Sequence, residues 1–218
     1  MKKNLTEMVF ILDRSGSMSY LENDTIGGFN SMIIKQKQEE GEAYVTTVLF
    51  DDQYKILHDH INIQDIPELT NQDYYARGMT ALLDAIGRTV NSVGERLSNT
   101  PEEERPEKVI VVITTDGLEN ASREFTKSAI KEMIEHQQEK YSWTFIFLGA
   151  NMDAVEEAAD LGISAGYSKT YTASAQGTSS VYNAVGVTLN CLRSMDIVNY
   201  ACSETKEIAT ADTLDSVI

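Results

Sequence analysis

Two stretches of this sequence leave little freedom in how the chain can fold. Residues 8–12 read Met-Val-Phe-Ile-Leu, and residues 108–115 read Lys-Val-Ile-Val-Val-Ile-Thr-Thr. Both are strand-like apolar runs without polar alternation, the pattern of strands covered on both faces, as in the middle of a parallel sheet. Around them the period changes. Leu83, Ile86, Val90, Val93 and Leu97 step by three and four, the stripe of a long helix starting near Thr80. Strand and helix signals then alternate along the chain, the signature of an α/β domain.

The remaining elements follow the same rhythm. A first strand spans 5–12 and a helix about 20–40, with Ile26, Phe29 and Ile33 on one side. Strands at 43–50 and 53–63 are joined by the short Phe-Asp-Asp-Gln-Tyr connection, which predicts antiparallel neighbours. After the strand at 108–115 come a helix at about 124–138, a strand at 143–149, a short helix at 152–161 and a weak edge strand near 166–171. Residues 172–180 are small and polar and read as a loop. Val181, Val185, Leu189 and Leu192 then space as a packing helix to about Tyr200, and 201–218 is a tail without pattern, a candidate for disorder. The expected fold is α/β: a doubly wound, mostly parallel sheet of about six strands, one of them an antiparallel edge hairpin strand, with helices on both faces and a single domain over 1–200.

Composition narrows the partners. Of 218 residues, 34 are Asp or Glu and 18 are Lys or Arg, a formal charge of −16. Phosphate contacts and anionic bilayers both call for the opposite balance, so neither nucleic acid nor membrane is an expected partner. No window approaches the ~18 apolar residues of a spanning helix, and the apolar start is broken by Glu7 and Asp13 without a leader's cleavage pattern. Cys191 and Cys202, on one helix, would stand about 16 Å apart, beyond disulfide reach. A reducing, cytoplasmic setting is expected.

In a doubly wound sheet, ligands bind beyond the carboxyl ends of the strands where the strand order reverses. The first strand ends in Asp13-Arg14-Ser15-Gly16-Ser17, and the strand at 108–115 ends in Thr114-Thr115-Asp116-Gly117. Thr80 lies just before the helix that feeds the latter. With those two strands adjacent, Asp13, Ser15, Ser17, Thr80 and Asp116 meet at one edge. Residues 13, 15 and 17 alternate onto one side, and Gly16 is expected to permit the bend between the serines. Two carboxylates and three hydroxyls, without His or Cys, suit a hard divalent cation, Mg²⁺ or Mn²⁺.

These residues carry a resemblance. Asp-Arg-Ser-Gly-Ser is similar to the Asp-x-Ser-x-Ser element of von Willebrand factor type A domains. Thr80 in Gly-Met-Thr is similar to that family's isolated threonine, and Thr-Thr-Asp-Gly to its third loop. The resemblance implies a Rossmann-like fold and a metal-ion-dependent adhesion site. It implies serines and threonine on the cation, aspartates ligating directly or through water, and an open position for an Asp or Glu of a partner protein. Tyr74, Tyr75, Arg77 and Glu119 flank the loops as a candidate partner-contact rim.

Other readings stand beside this one. Ser15, Ser17 and Thr80 each suit a helix N-cap, and Asp116-Gly117 a turn. His58 and His60 would share a face of the third strand as polar decoration, with no third zinc ligand apparent. A Mg²⁺-dependent hydrolase or phosphotransferase using Asp13 is the competing class, although the G-x-S-x-G and phosphate-loop signatures are absent. A scaffold subunit of an intracellular complex is the third.

Overall fold

The structure, a computed structural model, describes residues 1–194. Six strands form one sheet: β1 (Lys2–Asp13), β2 (Glu42–Phe50), β3 (Tyr54–Asn62), β4 (Pro106–Thr115), β5 (Thr144–Ala150) and β6 (Ser168–Tyr171). Their order is β3-β2-β1-β4-β5-β6. Only the β2–β3 pairing is antiparallel, the hairpin expected at the edge. Four helices connect them, α1 (Glu22–Gln36), α2 (Leu82–Asn99), α3 (Lys127–Tyr141) and α4 (Ala154–Asp160), and α5 (Ala175–Ser194) follows β6.

Alternation on the inner strands decides which helix covers which face. Met8, Phe10 and Leu12 of β1, with Ile110 and Val112 of β4, pack beneath α1 and α5. Val9 and Ile11, with Val109, Val111 and Ile113, pack beneath α2, α3 and α4. That division explains why these strands read as unbroken apolar runs. The chain leaves β1 through α1 on one face to reach β2, and reaches β4 through α2 on the other. The topological reversal therefore falls between β1 and β4, where an open α/β sheet places its ligand crevice.

Two expectations change. Residues 175–180, read as loop, are the first turns of α5. Small polar residues are weak helix formers, but the Ser174 hydroxyl accepts the Gly177 amide at 3.1 Å and Thr178 is buried, so local capping and packing override composition. The helix end near Tyr200, the domain limit at 200, Cys202 and the tail at 201–218 lie outside the described residues.

His58 and His60 do not share a face either. The β2–β3 register shifts between Val45–Ile61 and Thr47–His58, and His60 takes a positive φ of 52° within that bulge. His60 Nδ1 lies 2.7 Å from Glu7 Oε2. Glu7 is fully buried in β1, and its other oxygen accepts from Thr46 Oγ1 at 2.8 Å and Arg96 Nη2 at 2.7 Å. This carboxylate is held between the hairpin and the end of α2. Arg96→Ala leaves it without its permanent cation and is expected to lower the unfolding free energy by about 3 kcal/mol. Urea denaturation with an unchanged slope is the check.

Candidate metal centre

The β1–β4 register sets the first contact. Leu12 lies opposite Thr114, so the strands end side by side in Asp13 and Thr115. The Thr115 hydroxyl donates to Asp13 Oδ2 at 2.6 Å, and Asp13 Oδ1 accepts the Ser15 amide at 2.6 Å. The chain then enters a short 3-10 turn, Gly16–Tyr20. Ser15 holds the N-cap position of that turn but makes no side-chain cap. Its hydroxyl lies 3.1 Å from that of Ser17, which donates to Asp116 Oδ1 at 2.6 Å. Both serines are thus turned toward the third loop.

The second loop is fastened by backbone. Arg77 N donates to Arg14 O at 2.8 Å, Gly16 N to Gly78 O at 3.1 Å and Ala81 N to Asp51 O at 3.0 Å. The residue that needs to be glycine is Gly78, not Gly16. Gly78 has φ +67° and a Cβ there would overlap the Asp52 carboxylate, whereas Gly16 is outside the left-handed region.

Thr80 is buried, and the N-cap of α2 is Ala81, which makes no side-chain cap. The third loop caps the helix instead. Thr80 N donates to Asn120 Oδ1 at 2.9 Å, Leu83 N to Glu119 Oε2 at 2.9 Å and Asp84 N to Ser122 Oγ at 3.0 Å. In return Asp84 accepts the amides of Arg123, Glu124 and Phe125 at 2.9, 2.9 and 3.0 Å. The Leu83 and Asp84 N–H groups of the first turn are therefore satisfied without drawing on the Thr80 hydroxyl. A Cβ on Gly117 would stand 3.2 Å from Thr80 Oγ1 and 3.6 Å from Ser17 Oγ, so Gly117 lies between the hydroxyls of the other two loops.

The five residues expected at one edge, Asp13, Ser15, Ser17, Thr80 and Asp116, are thus carried on three interlocked loops. The expected rim is divided. Tyr74 is not on the surface: it is wholly buried, with its hydroxyl donating to the Asp13 carbonyl, because the loop folds that ring into the core beneath α1 and α5. Tyr75 is exposed, with the Arg14 and Arg77 guanidiniums each 5.7 Å from its ring centroid. Arg77 Nε donates to Asp51 Oδ2 at 2.6 Å. Glu119 spends both oxygens on Leu83, Ala121 and Ser122 and serves as a cap.

Sequence reasoning missed Thr115, Arg14 and Asp51. Arg14 is buried, 3.2 Å from the equally buried Asp51. Arg14 stands inside the recognised motif and Thr115 inside the recognised strand end, so both were within reach. Asp51 reads as a polar hairpin residue, and no spacing singles it out.

Burial pushes the Asp13 carboxyl up to about 6, against the hydrogen bonds from Thr115 and Ser15 that pull it down. Burial raises Asp116 too, with the Ser17 hydrogen bond opposing. Such carboxylates gain from a nearby cation. Adjacent oxygens around a six-coordinate ion with bonds of about 2.1 Å lie roughly 3 Å apart. The Ser15–Ser17 separation of 3.1 Å fits that spacing. Among the described residues no group of three or more His, Cys, Asp or Glu is placed to hold a metal, so a cation at these loops would need the hydroxyls as donors. If Glu119 is a cap, Glu119→Ala should cost about 2 kcal/mol in denaturant unfolding; a free rim carboxylate would cost almost nothing.

The sequence matches the von Willebrand factor type A domain family over residues 7–183. No curated protein matches it. Among solved structures, the von Willebrand factor domain of the type V pili tip protein Mfa5 from Porphyromonas gingivalis superposes with a TM-score of 0.64 at 10% identity, covering 88% of this chain and 97% of that one. Proximal thread matrix protein 1 from the mussel byssus, with a zinc-occupied adhesion-site motif, gives 0.57 at 17% identity, covering 87% and 47%. The manganese-loaded TRAP protein of Plasmodium vivax gives 0.54 at 14%, covering 79% and 70%. The chain spans about half the length of the mussel protein. A family match over most of the chain, together with the β3-β2-β1-β4-β5-β6 sheet, makes this protein a member of the von Willebrand factor type A domain family.

Proposed function

We propose that this chain is a divalent-cation-dependent protein-binding module, with Asp13, Ser15, Ser17, Thr80 and Asp116 as an intact metal-ion-dependent adhesion site for Mg²⁺ or Mn²⁺. Type A domains are in general adhesion or interaction modules, and among the related structures one has a zinc-occupied adhesion-site motif and another is manganese-loaded. One observation carries the reading for this chain. The hydroxyls of Ser15 and Thr80 stand at two helix starts and cap neither, while a separate loop has been recruited to cap α2.

The chain's residues divide the work. Ser15, Ser17 and Thr80 supply neutral oxygens, and Asp116 supplies a half-buried carboxylate already hydrogen-bonded to Ser17. Asp13 is 1% exposed with both oxygens accepting hydrogen bonds, so it lends its charge from behind Ser15 and is poorly disposed to act as an enzyme's nucleophile. A cation bound there would supply a Lewis-acidic position open to a carboxylate from an Asp or Glu of the partner protein. The chain's own charge of −16 repels acidic partners at long range, so recognition depends on contact at the site.

Calorimetric titration of Mg²⁺ into chelator-stripped protein is expected to give one ion per chain, with Asp13→Ala and Thr80→Ala each weakening it by about tenfold or more. No binding to the unaltered chain would sink the reading. A pH dependence follows from Asp13. Its folded-state carboxyl titrates above the unfolded value, so its stabilising contribution is present at low pH and lost as pH rises through about 6. A cation favours the ionised form and offsets that loss. The rise in melting temperature on adding Mg²⁺ should therefore be larger at about pH 7.5 than at about pH 5.

A further inference from the structure

The surroundings of the site are apolar to a degree that the ligand motif does not require. Tyr20, Tyr75, Met79 and Leu118 are exposed by 59, 42, 53 and 63% respectively. Each belongs to a loop that carries a ligand. Tyr20 closes the 3-10 turn after Ser17, Met79 directly precedes Thr80 in the loop that also holds Tyr75, and Leu118 follows Asp116-Gly117. The loops are joined through Gly16 N to Gly78 O at 3.1 Å and Asn120 N to Thr80 O at 3.0 Å. Four large apolar side chains therefore stand on the three loops that bring the ligands together. Exposed apolar groups gathered at one place mark contact surfaces, whereas single ones do not.

The charges nearby are already committed. Within five residues of a ligand, the other charged side chains are Arg14, Glu22, Arg77, Asp84 and Glu119. Arg14 and Arg77 pair with Asp51, and Glu22 accepts the Ala76 amide. Asp84 and Glu119 are occupied by backbone amides. These side chains, the nearest to the ligands along the chain, offer a partner no uncommitted basic group, and the chain as a whole carries a charge of −16; the exposed Arg123 lies further out on the third loop.

Resting on the adhesion-site reading, we propose that the partner is a protein segment bearing one carboxylate flanked by apolar side chains, not an acid-rich segment. The flanks pack on Tyr20, Met79 and Leu118 while the carboxylate reaches the cation. A second acid beside the first would find no uncommitted counter-charge among the side chains next to the ligands and would meet the repulsion of the whole chain. Exposed Tyr is a usual contact anchor, which gives Tyr75, with two guanidiniums each 5.7 Å from its ring centroid, the same part.

The test uses displayed peptides with a fixed central aspartate and random flanks, selected on the full chain in Mg²⁺ and eluted with chelator. Leu, Ile, Phe, Tyr, Trp or Met beside the aspartate is the expected enrichment, with Asp and Glu depleted. The best peptide, made synthetically, should bind Met79→Ser/Leu118→Ser about tenfold more weakly or worse. Mg²⁺ titration of that variant without peptide should match the unaltered chain, because both side chains are more than half exposed. Polar or acidic flanks, unchanged affinity for the double variant, or no chelator-eluted clones would overturn the proposal. Mg²⁺-dependent self-association without peptide would also overturn it, by giving the rim to a second copy of the chain. Failure of the unaltered chain to bind Mg²⁺ at all fells the adhesion-site reading itself. Mg²⁺ binding with indifference to the flanks fells only this inference.

Discussion

Asp13 is a carboxyl group placed where water scarcely reaches, and the loops around it are organised by that fact. The β1–β4 pairing puts it beside Thr115, whose hydroxyl takes one oxygen, while the following turn supplies the Ser15 amide to the other. The nearest basic residue along the chain is Arg14, yet its side chain is turned away and paired with Asp51. The chain thus satisfies the hydrogen bonding of Asp13 but leaves its charge unmatched. Asp116, on the other side of Ser17, repeats the arrangement at half burial. An excess of buried negative charge with its hydrogen bonds in order is a poor way to stabilise a fold and a sound way to prepare a place for a cation.

The three loops depend on one another more than on their own strands. The first is bonded to the second through Gly16 and Gly78, the second to the β2 exit through Asp51, and the third to the start of α2 through Asn120, Glu119 and Ser122. Asp84 returns the contact with three amides of the third loop. Such reciprocal capping fixes relative position without a covalent link, since moving either side strands several buried donors at once.

Much of this was legible in the sequence because it rests on period and residue type. The apolar runs at 8–12 and 108–115 announced two-sided burial, and the stripe from Leu83 to Leu97 placed α2. The alternation between them implied a crossover sheet whose order, once β1 and β4 are neighbours, brings Asp13 and Asp116 together. What escaped lies in contacts between residues far apart in sequence. Whether Tyr74 or Tyr75 faces water depends on how one loop lies against the core, and two adjacent tyrosines in a loop follow no periodicity that would tell them apart. Glu119 looks like a surface acid until the amides of α2 are placed before it. The Glu7–His60–Arg96 group depends on a bulge that breaks the two-residue alternation, and the first turns of α5 depend on Ser174 and Thr178 against a composition that argues for a loop.

The interlocking of the loops also bears on how portable the site is. Asp-Arg-Ser-Gly-Ser transplanted onto another parallel sheet would bring the serines but not Gly78, against whose carbonyl their turn rests, nor the loop that relieves Thr80 of capping. A working graft would have to carry the 76–84 and 115–125 segments together with Asp51, from four separate places in the chain. The exposed side chains at Tyr20, Met79 and Leu118 are under no such bond. On the proposed reading their exchange would leave the holder untouched, so that a scaffold of this kind could be re-aimed at new surfaces by changing the rim alone.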